Sequence, residues 1–427
     1  MQVPFDEGET VVRQSHKLEA GTLATIVLAN ALEFFDFFAY ATFSAFIARA
    51  YFPQEAHKLG PLLTLGTFAA GFLSRPIGAC FIGRYADRVG RKPALLLTSS
   101  LVTAGTLGVA IMPGYGVLGV YAPLLILLCR VAQGVAIGGE IGSSGALLLE
   151  HGDRARKGFY AGCLMAGQGL ALIVAGGCGI ALYQFLSPLQ IEQWGWRLPF
   201  ALASALIPVQ IFLRRHIRET RLTADPGQAP YRDVFFRQRR DWAMAIVLIF
   251  GGTVPTYVAT YTATFGVTGS RPTAFAAFVT TIAVGVVTFI LSVFGGWLAD
   301  RLGRLKIIVV SRVLTMVVVL PAFHLASVHN DSTTLLCVVA LFAGLSALGG
   351  GPGIIAILEM FPVRGRVLAM SLVYATGVAL FGGTAPLVVA SFDFWTGGHL
   401  AGAWYIFCSS MITVLAIRFI GIRTFAR

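Results

Sequence analysis

The chain is 427 residues long, 56% hydrophobic and only 12% charged, with a mean hydropathy of +0.77. Soluble domains carry about a quarter charged residues, so a soluble globular protein is excluded. The net charge of +12 does not signal nucleic acid. The basic residues fall in clusters between apolar runs, a pattern that suits the anionic inner leaflet of a bilayer.

At roughly 20 residues per span plus short loops, the length accommodates about twelve transmembrane helices. The apolar runs place them at 20–48, 60–83, 93–112, 120–149, 158–186, 198–213, 242–267, 272–298, 307–328, 333–359, 367–392 and 400–420. Of the 32 Lys and Arg residues, 25 fall in the N-terminus, the even-to-odd loops and the C-terminal end, against Arg49, Lys58, Arg197 and Arg271 on the other side. By the positive-inside rule both termini are cytoplasmic. The six cysteines all fall within spans and read as small apolar residues, not as a disulfide framework or a metal site. No cleavable signal peptide is expected, because the first apolar run is too long and lacks a small-residue cleavage site.

In chain order, residues 1–19 are a polar cytoplasmic N-terminus and 20–213 hold a first group of six helices. The first helix carries Asn30, Glu33, Asp36, Phe37 and Tyr40. Glu33 and Asp36 share a helix face, and Asn30, Glu33, Phe37 and Tyr40 share a wedge. An ionised carboxylate at the bilayer centre costs about 2.5–3.5 kcal/mol on insertion scales, so these residues should face a cavity or a partner. A permanent structural pair with an arginine is the plainer alternative. The second helix holds Arg75, about 13 Å from its cytoplasmic end at 1.5 Å per residue, too deep to snorkel without a counter-charge.

The stretch Gly83 to Pro93, GRYADRVGRKP, follows as a charged turn. It returns about 213 residues later as GWLADRLGRLK, with Gly83, Asp87, Arg88, Gly90 and Arg91 matched by Gly296, Asp300, Arg301, Gly303 and Arg304. A charged turn recurring at half-length implies two related halves. Basicity alone does not account for an aspartate and two glycines at matched spacing. Lys92 has Leu305 as its counterpart, so the second copy is the weaker one.

The fourth helix brings Arg130, Gln133 and Glu140 towards one face. Counted from the helix ends, Arg130 lies at the depth of Glu33 and Asp36, and Glu140 at that of Arg75. Two ion-pair layers follow: Asp36 or Glu33 with Arg130, and Arg75 with Glu140. Glycines in the fourth and fifth helices allow close packing. Residues 214–241, rich in arginine, form a cytoplasmic linker, and 242–427 hold the second six helices.

In that half, Tyr257, Tyr261 and Thr264 share a face, as either hydrogen-bond donors to a cavity or packing. Arg312, six residues past Lys306, is expected to snorkel to the interface. Tyr374 precedes a helix break at Phe381-Gly382-Gly383-Thr384-Ala385-Pro386. Glu359, Arg364 and Arg366 mirror Glu150, Arg154 and Arg156 across the repeat.

The two charged turns resemble the signature of the major facilitator superfamily. Five further stretches, in order, resemble its metabolite–proton symporters: Asn30 to Glu33 with Asp36; Arg75 to Gly78; Arg130 with Gln133-Gly134 and Gly138-Gly139-Glu140; Trp194 to Phe200; and Phe381 to Gly383. Glu33 to Phe38, Met112 to Tyr115 and Thr264 to Gly266 look most like the citrate (tricarboxylate)–proton symporters. The resemblance implies an all-α membrane protein of twelve spans in two pseudo-symmetric six-helix bundles. It implies proton-coupled uptake of a carboxylate, citrate or another tricarboxylate first, by alternating access across the inner membrane. Other members carry dicarboxylates, shikimate-like acids or betaines, and a drug–proton antiporter shares the fold.

On this reading the proton binds at Asp36, with Glu33 competing, and its arrival releases Arg130 to hold a substrate carboxylate. Asn30, Arg75, Gln133, Glu140, Tyr257, Tyr261 and Tyr374 are the other candidate substrate contacts. The turns at Gly83, Asp87, Arg88, Gly90 and Arg91 and at Asp300, Arg301 and Arg304 latch the cytoplasmic side. The expected partners are a small carboxylate, protons and lipid, with no nucleic acid and no cofactor, and the chain is expected to act as a monomer. No nucleophile–base set or phosphate loop suggests an enzyme.

Overall fold

In hydrocarbon every backbone N–H and C=O must be satisfied within its own segment, so apolar runs of this length form helices. The computed structural model describes residues 20–53, 60–89, 91–138, 154–206, 239–266, 273–329, 331–361, 366–396 and 400–424. Among these, nine helices are long and apolar enough to cross a membrane, with Leu97–Ile111 and Tyr121–Ile137 as shorter apolar helices. Residues 198–206 are also helical, up to the edge of the described chain.

In the first half the helices are α1 (Ala20–Thr42), α2 (Ser44–Tyr51), α3 (Gly60–Leu73), α4 (Arg75–Val89) and α5 (Arg91–Ile111). Then come α6 (Tyr115–Leu118), α7 (Tyr121–Ile137), α8 (Lys157–Phe185), α9 (Pro188–Gln193) and α10 (198–206). The second half holds α11 (Arg239–Phe265), α12 (Ala274–Leu302), α13 (Arg304–His329), α14 (Ser332–Met360), α15 (Arg366–Gly377), α16 (Ala385–Thr396) and α17 (Ala401–Thr424). The expected N-terminus 1–19 and most of the linker lie outside the described residues.

Two of the breaks have local causes. α3 and α4 are one span interrupted at Ser74, where Pro76 can donate no backbone hydrogen bond and crowds the preceding turn. α15 and α16 are one span joined by a π-helical turn, Val378–Gly383, at the break expected from Phe381 to Pro386.

Packing divides the helices into two groups. α7 packs on α3, α4 and α5, and α1 on α8, in the first; α14 packs on α11, α12 and α13, and α17 on α11 and α13, in the second. The groups meet chiefly where α8 runs along α12 and α14. Along that seam Gly169 faces Gly285: a Cβ on Gly169 would stand 2.6 Å from the Gly285 carbonyl oxygen. Only glycines allow two helix backbones this close.

Candidate transport site

The first cluster forms between α1 and α7. Helical spacing turns Asp36, Phe37 and Tyr40 inward, and all three are buried. Arg130, fully buried on α7, donates from Nη1 to Asp36 Oδ2 at 2.9 Å. Its guanidinium also stands 4.0 Å from the Tyr40 ring centroid, and the Tyr40 hydroxyl meets Thr67 Oγ1 at 2.6 Å. Of the two expected partners for Arg130, Asp36 is the one paired. Asp36 Oδ1 and Arg130 Nε and Nη2 have no hydrogen-bond partner among the described residues. Paired charges are thus buried with hydrogen-bonding capacity to spare.

Arg75 opens α4 with its guanidinium against two rings that meet each other edge-on, 3.9 Å from the Phe72 centroid and 4.4 Å from Phe37. Tyr257, Glu33 and Tyr374 are its electrostatic neighbours, a carboxylate of α1 and two tyrosines of the second half. Glu140, its expected partner, lies outside the described residues. Asn30 is buried beside Gly167 of α8. Gln133 is turned towards the third span, where its Nε2 donates to Thr106 Oγ1 at 2.7 Å. It is buried inside the first half, with Oε1 left without a partner among the described residues.

A cavity lies against the second half. It is lined by Gln168 of α8, Thr256 and Tyr257 of α11, Thr288 and Ser292 of α12, Arg312 of α13, Ser346 of α14 and Tyr374 of α15, among others. Tyr257 also lines a smaller pocket with Tyr261, Thr264, Phe38 and Phe68. The three-residue face expected on α11 therefore exists, and of the three Tyr257 lines both cavities.

Arg312 corrects an expectation. It does not snorkel: its relative exposure is 2%, its Nη2 reaches the Ser346 carbonyl oxygen at 3.4 Å, and it lines the cavity. The error came from counting to Lys306. Arg304 lies eight residues away, roughly 12 Å at 1.5 Å per residue, the same depth argument that placed Arg75 in the interior. Ser311 and Thr315, buried beside Arg312, were the available sign of a buried polar face. Thr288, Ser292 and Gln168, also absent from the sequence-based candidates, carried no sign beyond being polar within a span.

At the ends of α12 and α14 the halves are tied together. Asp300 accepts from the backbone N–H of Gly158 at 2.7 Å and of Phe159 at 2.8 Å, so its carboxylate caps the positive N-terminus of α8. Glu359 pairs with Arg304 and, at 3.6 Å, with Lys157. Gly303, at φ 95°, turns the chain between Asp300 and Arg304 in a conformation open to glycine. Arg301 stacks on Trp297 of its own helix at 4.0 Å and makes no ion pair across the seam among the described residues. Of the first copy, Gly83, Asp87 and Arg88 fall in α4 and Arg91 opens α5; their side chains, with Gly90, lie outside the described residues.

The Major Facilitator Superfamily model matches residues 26–291. The chain belongs to this superfamily. It is 32% identical over 408 residues to a citrate-proton symporter of Salmonella typhi, covering 94% of each chain. It is 33% identical over 405 residues to the alpha-ketoglutarate permease of Escherichia coli (strain K12), covering 90% of each. A putative proline/betaine transporter of Staphylococcus haemolyticus is 32% identical over 411 residues, covering 93% of this chain and 86% of that one. Among solved structures, the xylose transporter XylE from E. coli in a partially occluded inward-open conformation superposes with a TM-score of 0.71. It covers 94% of this chain and 97% of that one at 15% identity, which speaks to fold alone. As a superfamily member the chain is a multi-pass membrane protein of the two-bundle fold. Asp36 and Arg130 lie in its N-terminal bundle, the cavity lies mainly against its C-terminal bundle, and Asp300 lies at the seam.

Proposed function

We propose that the protein is a proton-coupled symporter that carries a small carboxylate, citrate or a related di- or tricarboxylate, into the cell. The observation that carries this reading is the buried Asp36–Arg130 pair at 2.9 Å in a chain whose relatives include citrate and alpha-ketoglutarate carriers. A multivalent anion entering a negative-inside cell works against about 2.3 kcal/mol per charge per 100 mV. Protons must therefore accompany it. Protonating Asp36 removes the partner of Arg130 Nη1, and a guanidinium with three available nitrogens then recruits a substrate carboxylate.

Arg75, set against the rings of Phe37 and Phe72 with Tyr257 and Tyr374 as electrostatic neighbours, is a second buried positive group of this bundle. Glu33 next to it is the competing proton acceptor. The two bundles, 20–213 and 242–427 joined by the linker 214–241, rock about the site. The charged turns act at the cytoplasmic side, and both termini face the cytoplasm. No enzymatic chemistry is needed for this work.

The test is uptake of labelled citrate, tricarballylate, shikimate and betaine by cells and proteoliposomes, with and without an uncoupler. In Asp36→Asn we expect accumulation to vanish while counterflow exchange persists. Undiminished accumulation in that variant would reject Asp36 as the coupling site. Uptake of betaine alone would favour the reading suggested by the proline/betaine relative.

A further inference from the structure

We propose that Arg312, Thr288 and Ser292 form a second carboxylate subsite, in the C-terminal bundle, and that the transported acid must present a second carboxylate to fill it. The inference rests on the symport reading and names the feature of the substrate that the protein selects.

The three residues line one cavity and are buried, with relative exposures of 2%, 6% and 1%. Arg312 Nη1, Thr288 Oγ1 and Ser292 Oγ have no hydrogen-bond partner among the described residues. That is unusual for these helices. On α12 the hydroxyls of Thr280 and Thr281 each donate to the carbonyl four residues back, at 2.8 Å. On α13, Ser311 and Thr315, which flank Arg312, donate to backbone carbonyls at 2.9 and 2.8 Å. Back-bonding is how a hydroxyl in a membrane helix is ordinarily satisfied, and Thr288 and Ser292, one turn apart, do not use it.

The orphaned atoms share a chemistry. A guanidinium only donates, and a hydroxyl can donate, so their common complement is an acceptor that offers several lone pairs. Arg312 is also a buried cation with no carboxylate within ion-pair distance among the described residues, so the complement should be negative. A carboxylate meets both conditions. The site is shaped for the guanidinium as well: a Cβ on Gly349 would stand 3.0 Å from Arg312 Nη2.

Two tyrosines join the subsite to Arg75 of the first bundle. Tyr257 and Tyr374 line the Arg312 cavity and are also the neighbours of Arg75. A diacid can therefore be held from both bundles, whereas a monoacid can satisfy only one.

The experiment is titration calorimetry on the purified protein in nanodiscs with tricarballylate, glutarate and pentanoate, which share a five-carbon backbone and carry three, two and one carboxylates. The wild type should bind the two polyacids more tightly than pentanoate by roughly tenfold to a hundredfold, the worth of hydrogen bonds to a charged group. Arg312→Gln should bring the polyacids down towards pentanoate and leave pentanoate unchanged. Should that variant not purify as a folded protein, the paired substitution Thr288→Val with Ser292→Ala keeps the arginine and should lower polyacid affinity alone.

Polyacid preference retained in both variants, or all three ligands weakened by one common factor, overturns the subsite. The two readings separate cleanly. A wild type that neither binds nor accumulates any of these acids ends the symport reading and the subsite together. Coupled uptake of polyacids by a wild type whose preference ignores Arg312 ends the subsite alone.

Discussion

Arg130, Arg75 and Arg312 are three buried guanidinium groups in similar hydrocarbon, each met by something different. Arg130 has the Asp36 carboxylate; Arg75 has the faces of Phe72 and Phe37; Arg312 has a distant carbonyl and an open cavity. The first arrangement is stable only while both partners are charged or both are neutral, because removing one half of a buried pair strands the other. Arg130→Gln should therefore lower stability by about 3–5 kcal/mol, seen as a fall in melting temperature in detergent. Adding Asp36→Asn to that variant should restore most of the loss. If the double variant melts as low as the single one, the pair is not acting as a unit.

Helices carry these groups but also join them. Gly383 of the π-helical turn packs against Phe72, where an added Cβ would stand 2.2 Å from the Phe72 Cβ. Phe72 in turn touches Arg75 and sets its ring edge against Tyr257, with centroids 5.4 Å apart. π-turns gather at functional positions because they free a local backbone group and bend the helix. Gly383→Ala must displace Phe72 and with it the seat of Arg75. We expect a stability loss of roughly 1–3 kcal/mol from overpacking, and a rise in apparent KM for uptake as the more informative readout; a silent variant would disconnect the turn from the site.

At the other joint, Asp300→Asn removes the charge that caps α8. A charge at a partly buried helix terminus is worth up to about 2 kcal/mol. We expect the variant to shift towards states open at this end, measured as faster alkylation of single cysteines placed beside Gly158 on α8. Unchanged labelling would show that Glu359, with Arg304 and Lys157, holds the halves together unaided.

For the whole molecule the decisive quantity is charge moved per cycle. A proton gradient, acidic outside, should drive accumulation of a tricarboxylate in proteoliposomes, and an uncoupler should return it to equilibrium; accumulation that survives the uncoupler would remove protons from the mechanism. This large-scale architecture was the most legible part of the sequence. Hydrophobic run lengths mark the spans, and the recurrence of the Gly83 stretch at Gly296 discloses the halves, although both glycines lie within helices and the second copy turns only at Gly303. Individual contacts were legible where a charge sits in oil, which is why Arg130 was expected to pair with Asp36 or Glu33 and is found with Asp36.

The residues that escaped did so for physical reasons. Helical periodicity tells which residues share a face but not which neighbour that face meets, so the bond from Gln133 to Thr106 could not be foreseen. Depth counted from the nearest basic residue made Arg312 look shallow. A lone Thr or Ser in a span, such as Thr288 or Ser292, is indistinguishable by type from one bonded to its own helix.

The cap on α8 is asymmetric in its chemistry: one side is the carboxylate of Asp300, the other is peptide N–H. Every residue except proline supplies that N–H. A genetic screen for inactive alleles would therefore hear from Asp300 and from Gly158, where an added Cβ would stand 2.6 Å from Asp300 Oδ1, but hardly from Phe159. Phe159 could be exchanged for almost any side chain with the bond intact, while nearly every change at codon 300 would sever it.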